Sequence, residues 1–358
     1  MRTIILLGLL APVLLTAQET TPAQAPSALV LRQAQEWMES TDPDRRQAAY
    51  RSVHLLGKEA LPGFEAALRQ ATKQHKTRLK DILEGRAGAG NPYRELGTLV
   101  EELESERDRV YALIKTDYKK DPDKVAMLRN EMEAIERIYD RAARLARSDP
   151  SGLDAAVDSV ASILVELGIQ LARFEDLGQD ADSAVPIADR KRAALAESYE
   201  GDLYLANRQR FAAMAAEVAA LETATSHNAQ CSWANGSQKD FAAHLNRQRA
   251  IMGLGPFRLD EKLSDAATGH SKDMKSAGFF SHTSPIDGKH SPNDRARKAG
   301  FQGRWTGENI FMGSSSHLSA YKGWFASDGH RFIMFARGPN VLGIGPVGAH
   351  WTLMTGRM

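Results

Sequence analysis

The chain has a single cysteine, Cys231, in 358 residues, so no internal disulfide can form and stability must come from packing. The neighbours of Cys231 (Gln230, Ser232, Trp233) include no cation that would lower its pKa, so an inert thiol is expected. There is no excess charge of one sign, the net value being +1, and no dense basic run, so nucleic acid is not expected as a partner. No cysteine directly follows the apolar N-terminal run, so a lipoprotein anchor is not expected, and after Leu15 no segment reads as apolar enough to cross a bilayer. Gly343-Ile344-Gly345 is a lone glycine pair in a strand-like run, too little for a phosphate-binding loop.

What is present is ordinary for a globular protein, with 42% hydrophobic and 25% charged residues, and long enough for two folded units. Met1-Arg2-Thr3 precedes an apolar run from Ile4 to Leu15, broken by Gly8 and Pro12 and followed by the small residues Thr16-Ala17. That pattern predicts a secretory signal peptide over 1–17 with cleavage near Ala17, then a linker over 18–29. The mature protein is therefore expected outside the cytoplasm, secreted or periplasmic, touching a membrane at most from its surface; an uncleaved signal anchor is the alternative. Charge is unevenly divided: residues 228–358 hold 16 Lys and Arg against 9 Asp and Glu, leaving 30 against 36 for residues 1–227. A basic face on the C-terminal part suits an acidic envelope polymer, and a spread of solvated charges explains the numbers as well.

Residues 30–225 are rich in Ala, Leu, Glu, Arg and Lys, the composition of stacked helices, and read as a helical arm. Val125, Leu128, Met132, Ile135, Tyr139 and Ala142 recur at alternating spacings of three and four, and Leu96, Leu99, Leu103, Val110 and Ile114 form a similar stripe. Asp121-Pro122-Asp123 stops one helix and caps the next, so the two stripes predict an antiparallel hairpin. Its seam is compatible with self-association through the arm and equally with packing within one chain. Further helices are predicted from Leu153 to Leu177 and from Pro186 to about Glu222, with turns at 88–92 and 178–183. Near the start, Ser40-Thr41-Asp42-Pro43 caps a helix that Gly57 ends, and Ala60-Leu61-Pro62 begins another. This looks like one HEAT-type helix pair, too few for an array. The arm shows no catalytic constellation, and its carboxylates read as a solvated face.

After a linker over 226–236 the character changes, and residues 237–358 read as a separate domain. Ser237 is the expected cap of a first helix and Asp260 of a second, which Gly278 ends. A loop with His282, a short helix near Arg295, an extended piece from Gly307 to Met312, a helix from about Ser316 to Ala326, a helical turn with His330 and two terminal strands follow. Seven of the ten histidines lie here. His270 sits on an apolar helix face and is read as packed core; His290, His317 and His350 are read as surface residues without a paired acid. Trp324, Phe325, Phe332 and Phe335 have helical spacing and are read as core.

Three phrases place a histidine or carboxylate beside glycine and aromatics: Gly278-Phe279-Phe280-Ser281-His282, Gly307-Glu308-Asn309-Ile310, and Trp324-Phe325-Ala326-Ser327-Asp328-Gly329-His330-Arg331. With Ala267-Thr268-Gly269-His270-Ser271 and Val341-Leu342-Gly343-Ile344-Gly345, in this order, they resemble the CAP superfamily of cysteine-rich secretory, antigen and pathogenesis-related proteins, in its short bacterial form. The resemblance covers about the last third of the chain. It implies an α+β fold, a three-layer α-β-α sandwich with an antiparallel sheet, here preceded by the all-α arm. It further implies a cleft with two histidines and two acids that in some members hold a divalent metal. Matched phrase by phrase, His282 and His330 fall on the histidines and Glu308 on the first acid, while Ser327 stands where the second acid is found elsewhere.

Two imidazoles and a carboxylate form a facial set for Zn²⁺ or another divalent cation, with Ser327 a poor ligand. The same groups also serve without metal, as a carboxylate accepting hydrogen bonds from imidazoles. Serine hydrolysis would need Ser327 or Ser281 beside His330 with Glu308 as orienter, although Ser327 precedes a helical turn, where capping is the commoner role. The leading expectation is a non-enzymatic module binding an extracellular or envelope ligand. A metal-dependent or serine-type hydrolase using His282, Glu308, Ser327 and His330, and lipid or sterol binding, are the alternatives the resemblance leaves.

Overall fold

The computed structural model describes residues 42–55, 61–88, 90–118, 120–175 and 185–358, together with Arg32, Glu36 and Ser40. The expected signal peptide at 1–17, linker at 18–29, helix end at Gly57 and turn at 178–183 lie outside the described residues. The described helices begin with α1 (Pro43–Leu55), α2 (Leu61–Leu83), α3 (Pro92–Ile114), α4 (Pro122–Ala146), α5 (Ser151–Glu175), α6 (Ile187–Ala196) and α7 (Gly201–Gln230). The C-terminal part follows as α8 (Gly236–Ile251), β1 (Arg258–Leu259), α9 (Glu261–Ala277), α10 (Pro292–Lys298) and β2 (Arg304–Met312). It ends with α11 (His317–Phe325), α12 (Asp328–Met334), β3 (Val341–Val347) and β4 (His350–Arg357). Two units result, Met1–Asn91 with Ser151–Asp202, and Pro92–Pro150 with Leu203–Met358.

In the first unit α2 packs on α5, with α1 against α2 and α6 against α5. Phe64, Leu68 and Ala71 of α2 meet Ile163 and Leu167 of α5 and Ala49 of α1 in one buried cluster. The expectation that no later segment is apolar enough to span a bilayer needs correction. Ser151–Ala172 qualifies by length and composition, with a mean hydropathy of 1.5. Here the apolar character of this helix supplies the face that packs on α2.

The single helix expected from Pro186 is in fact two. Glu200 takes a left-handed φ of 62°, and a Cβ on Gly201 would lie 1.5 Å from the Leu195 carbonyl oxygen. The chain therefore turns tightly just before Gly201, at a place where only glycine fits. Helix α7 then continues past the expected linker start to Gln230.

The second unit contains the predicted hairpin. Leu96, Leu99, Leu103, Val110 and Ile114 of α3 and Val125, Leu128, Met132, Ile135, Tyr139 and Ala142 of α4 are all buried. Asp121 caps α4, its side chain accepting from the Asp123 and Lys124 N–H groups. Tyr93 meets Tyr204 and Phe211 of α7 edge-on, with ring centroids 5.5 and 5.0 Å apart.

The C-terminal part is built on a four-stranded sheet in the order β1-β3-β4-β2. The three longer strands are antiparallel, as expected. Arg258–Leu259 adds a two-residue parallel strand on β3 that makes the sheet mixed. One face carries α9 and α10. Leu263, Ala266, Ala267, Ala296, Phe301, Val341 and Met354 form its core, and a Cβ on Gly345 would lie 2.2 Å from the Thr268 nitrogen. The Gly-Ile-Gly phrase thus marks a close helix–strand approach. The other face carries α8, α11 and α12. There Phe241 packs edge-on against Trp324 at 5.4 Å, and the Trp324 indole N–H donates to the Ile310 carbonyl at 2.9 Å. The layers are α-β-α.

Caps follow local chemistry. Asn235, rather than the expected Ser237, caps α8 in a reciprocal box with Gln238. Asp260 caps α9, and Gly278 closes it at φ 69°.

Arginines fasten the hairpin to this sandwich. Arg107 of α3 donates to the Ile251 and Ala250 carbonyls at the end of α8, both at 2.9 Å, and pairs with Glu217. Arg247 of α8 pairs with Glu136 and Asp140 of α4. Arg331 of α12 is fully buried and donates to the Ile114 and Thr116 carbonyls at 3.0 and 2.9 Å, while its neighbour Asp328 ion-pairs with it and accepts from the Tyr118 N–H at 3.1 Å. At the other end, Asn228 of α7 accepts from Leu259 N–H at 2.7 Å and donates to the Phe257 carbonyl at 3.1 Å, tying the last arm helix to β1.

Candidate functional site

The site forms along the edge strand β2, where alternation sends neighbouring residues to opposite layers. Gly307 faces Ile333 of α12, since a Cβ there would lie 3.0 Å from Ile333 Cγ2. Asn309 donates to the His330 carbonyl at 2.9 Å. Glu308, between them, turns to the other layer and meets α10.

There Arg295 donates to Glu308 Oε1 at 2.9 Å and Oε2 at 2.6 Å, with side-chain exposures of 2% and 1%. The same guanidinium donates to the carbonyls of His282, Lys289 and His290 at 3.0, 2.9 and 3.2 Å. One buried cation thus neutralises the carboxylate and shapes the loop from 282 to 290. Ser291 positions Arg295 by capping α10 in a box with Asp294. Sequence reasoning placed a helix at Arg295 but gave that residue no role; a carboxylate in a buried setting demands a partner, and this was the available signal.

His282 meets the carboxylate from the loop, its Nδ1 2.9 Å from Glu308 Oε1, with 51% of the ring side exposed. Because the ionised carboxylate only accepts, Nδ1 carries the proton and leaves Nε2 for a ligand. His330 comes from α12 and brings its ring centroid to 6.4 Å from that of His282. Burial, then the nearby His282 and Lys120 charges, pushes the His330 pKa down, favouring the neutral ring. Its Nδ1 is buried without a hydrogen-bond partner. The structure therefore brings His282, Glu308 and His330 to one place, from both layers.

Ser327 occupies the cap position of α12 by backbone conformation, but its side chain makes no capping bond. Ser281 Oγ accepts from the Thr283 N–H at 3.1 Å. Among the described residues no hydrogen bond joins the hydroxyl of either serine to an imidazole, and Glu308 orients His282 rather than His330. The relay that serine hydrolysis needs is not assembled.

For a metal, the donor chemistry decides. Both Glu308 oxygens are committed to Arg295 and one also to His282, so an incoming ion meets two imidazoles and no available carboxylate. Among the described residues no three His, Cys, Asp or Glu side chains are grouped to hold a metal. Glu308 does not fit as a ligand in this arrangement.

The remaining histidines are placed mostly as expected. His270 is fully buried, its Nε2 3.0 Å from the Ser281 carbonyl, and burial lowers its pKa. His317, expected at the surface, is half-buried. His290 departs from the expectation in having an acid nearby, Asp287 at 3.9 Å, and His350 in being half-buried, with Nδ1 unpartnered. Phe332, expected in the core, is half-buried, whereas Trp324, Phe325 and Phe335 are buried. Cys231 is half-buried, its thiol donating to the His227 carbonyl at 3.4 Å, and burial raises its pKa, consistent with an inert thiol.

Comparison with known proteins bears on the C-terminal part of the chain. Residues 242–349 match the family model described as CAP, the cysteine-rich secretory protein family. The Bacillus subtilis protein YkwD is 35% identical over 117 residues, 32% of this chain and 45% of that protein. The Bacillus subtilis membrane protein YlbC is 33% identical over 109 residues, 30% of this chain and 31% of its own length. The chain thus spans less than half of each of these relatives. An extracellular SCP-domain protein from Bacillus anthracis, of known crystal structure, is 31% identical, with a TM-score of 0.33 covering 35% of this chain and 41% of that one. The C-terminal part of this chain is a CAP domain of the cysteine-rich secretory protein family.

Proposed function

We propose that this CAP domain is an exported module that binds a ligand of the cell envelope or extracellular space, without catalysing a reaction on it. The observation that carries the reading is the commitment of Glu308 to Arg295. It leaves the carboxylate as a fixed acceptor that orients His282, and the pair of imidazoles as the groups a ligand meets. Imidazoles in this setting recognise a partner by hydrogen bonds. Export is supported by the apolar N-terminal run and by the extracellular description of the Bacillus anthracis relative.

The test passes envelope extract over the immobilised full chain and over its His282→Ala variant. The expected result is a component retained by the wild type and lost in the variant, with no turnover of peptide or ester libraries by either protein. Turnover abolished by Glu308→Ala but unaffected by His317→Ala would replace the binding reading with the hydrolase. Zn²⁺ binding through the two imidazoles alone is the second reading, favoured by the unpartnered His330 Nδ1. Calorimetry decides it: equal heats for wild type and a His282→Ala, His330→Ala double variant would remove it.

A further inference from the structure

Helix α2 of the first unit carries Arg69, Lys73, Lys76 and Lys80. Steps of four, three and four place them on one helix face, over roughly 16 Å of helix at about 1.5 Å rise per residue. Three of them directly follow the buried residues Leu68, His75 and Leu79, so the stripe runs along the margin of the packed face. At that margin a cavity of ≈ 510 Å³ opens, lined by these cations, by Leu171 of α5 and by Glu197 and Tyr199 in the turn after α6. The local sign opposes the surrounding composition, since residues 1–227 hold 30 Lys and Arg against 36 Asp and Glu.

Three of the four cations have a carboxylate nearby. Arg69 pairs with Glu65 at 2.9 Å, Lys76 with Glu197 at 3.7 Å and Lys80 with Glu84 at 3.8 Å. Lys73 has no carboxylate within ion-pair distance among the described residues. The Arg69 and Lys76 pairs are exposed on both sides and contribute little, so these cations can turn to a better anion, whereas the Glu84 side chain that holds Lys80 is only 8% exposed. Tyr199, 56% exposed, offers its ring face as a wall, with the Lys80 ammonium 4.3 Å from its centroid.

We propose that this groove binds a linear polyanion, a polymer bearing phosphate or carboxylate groups along an extended backbone. A small anion would engage one or two of the four cations, because they are strung along the helix and do not converge. A flat bilayer would reach the rim and leave Leu171 untouched. An extended chain with charges every ~5–6 Å matches the separation of neighbouring positions on a helix face.

The test uses the full chain with long-chain polyphosphate, with polygalacturonate and with phosphatidylglycerol vesicles as separate probes. Binding is measured over a salt series for the wild type, a Lys73→Glu, Lys76→Glu variant and a Lys272→Glu, Lys322→Glu control. At least one polymer binds the wild type, the α2 variant weakens it by about tenfold or more, and the log–log salt slope falls by roughly 1–2, one unit or less per lost cation. The control stays within about twofold of the wild type, and the two polymers separate phosphate from carboxylate as the preferred charge. If circular dichroism shows that the glutamate variant misfolds, Lys73→Gln, Lys76→Gln supplies the same comparison. Absence of binding to both polymers, equal losses in the control, or tighter binding to vesicles than to either polymer would overturn the proposal.

Discussion

Arg295 donates to both carboxylate oxygens of Glu308, at 2.9 and 2.6 Å, in a place where neither side chain reaches solvent. A buried pair of this kind holds together because each charge is the other's principal compensation. Replacing Arg295 by Met strands the Glu308 carboxylate and frees the carbonyls of His282, Lys289 and His290. Denaturant unfolding should show a loss of about 3–5 kcal/mol. The Arg295→Met, Glu308→Met double variant should recover a substantial part of it. A loss below about 1 kcal/mol would mean that the pair does not hold the site together.

Stability should also decline in mild acid. Burial lowers the pKa values of His244, His270 and His330 below the ordinary 6.5. As pH falls below 6.5, the unfolded chain takes up protons that the folded chain refuses, so the stabilising contribution is complete above that pH and is lost as pH falls towards the folded values. Denaturant midpoints measured from pH 7.5 down to 5 should decrease, and His270→Gln should flatten the profile. A profile that is level over that range in the wild type contradicts the burial of these rings as neutral groups.

Legibility of the fold depended on the kind of signal. The hairpin stripes from Leu96 to Ile114 and from Val125 to Ala142 were readable because each is a local periodicity, and all the named positions are buried. The break before Gly201 was not, because it depends on a carbonyl five to six residues back rather than on propensity. Strand β1 is too short to show alternation and exists through its pairing with β3. His282, Glu308 and His330 could be named because their phrases, taken in order, resemble those of the CAP superfamily. Their buttress could not, since Arg295 serves Glu308 from thirteen residues away and its helix carries no comparable phrase. The docking of the hairpin on α12 left no trace either, because Arg331 is satisfied chiefly by backbone carbonyls, which every sequence provides.

That docking has a measurable consequence. Arg331 gives hydrogen bonds to the carbonyls of Ile114, Thr116 and Phe325 and an ion pair to Asp328. Arg331→Met leaves these acceptors buried without a donor, and the expected cost is about 3–5 kcal/mol. Hydrogen exchange should show the loosening at Tyr118, whose N–H is held by Asp328. A variant as stable as the wild type, with Tyr118 still protected, would mean that the hairpin tip is not fastened through this residue.

The long-range ¹H–¹⁵N spectrum of the imidazoles tests the arrangement of the cleft most directly. Near pH 7.5 the His282 ring should carry its proton on Nδ1, opposite to the usual preference of a free imidazole, because Glu308 accepts from that atom at 2.9 Å. In Glu308→Gln that preference should weaken, and the His330 signals should shift with it. A His282 ring protonated on Nε2 in the wild type, with spectra unchanged in Glu308→Gln, would contradict the account.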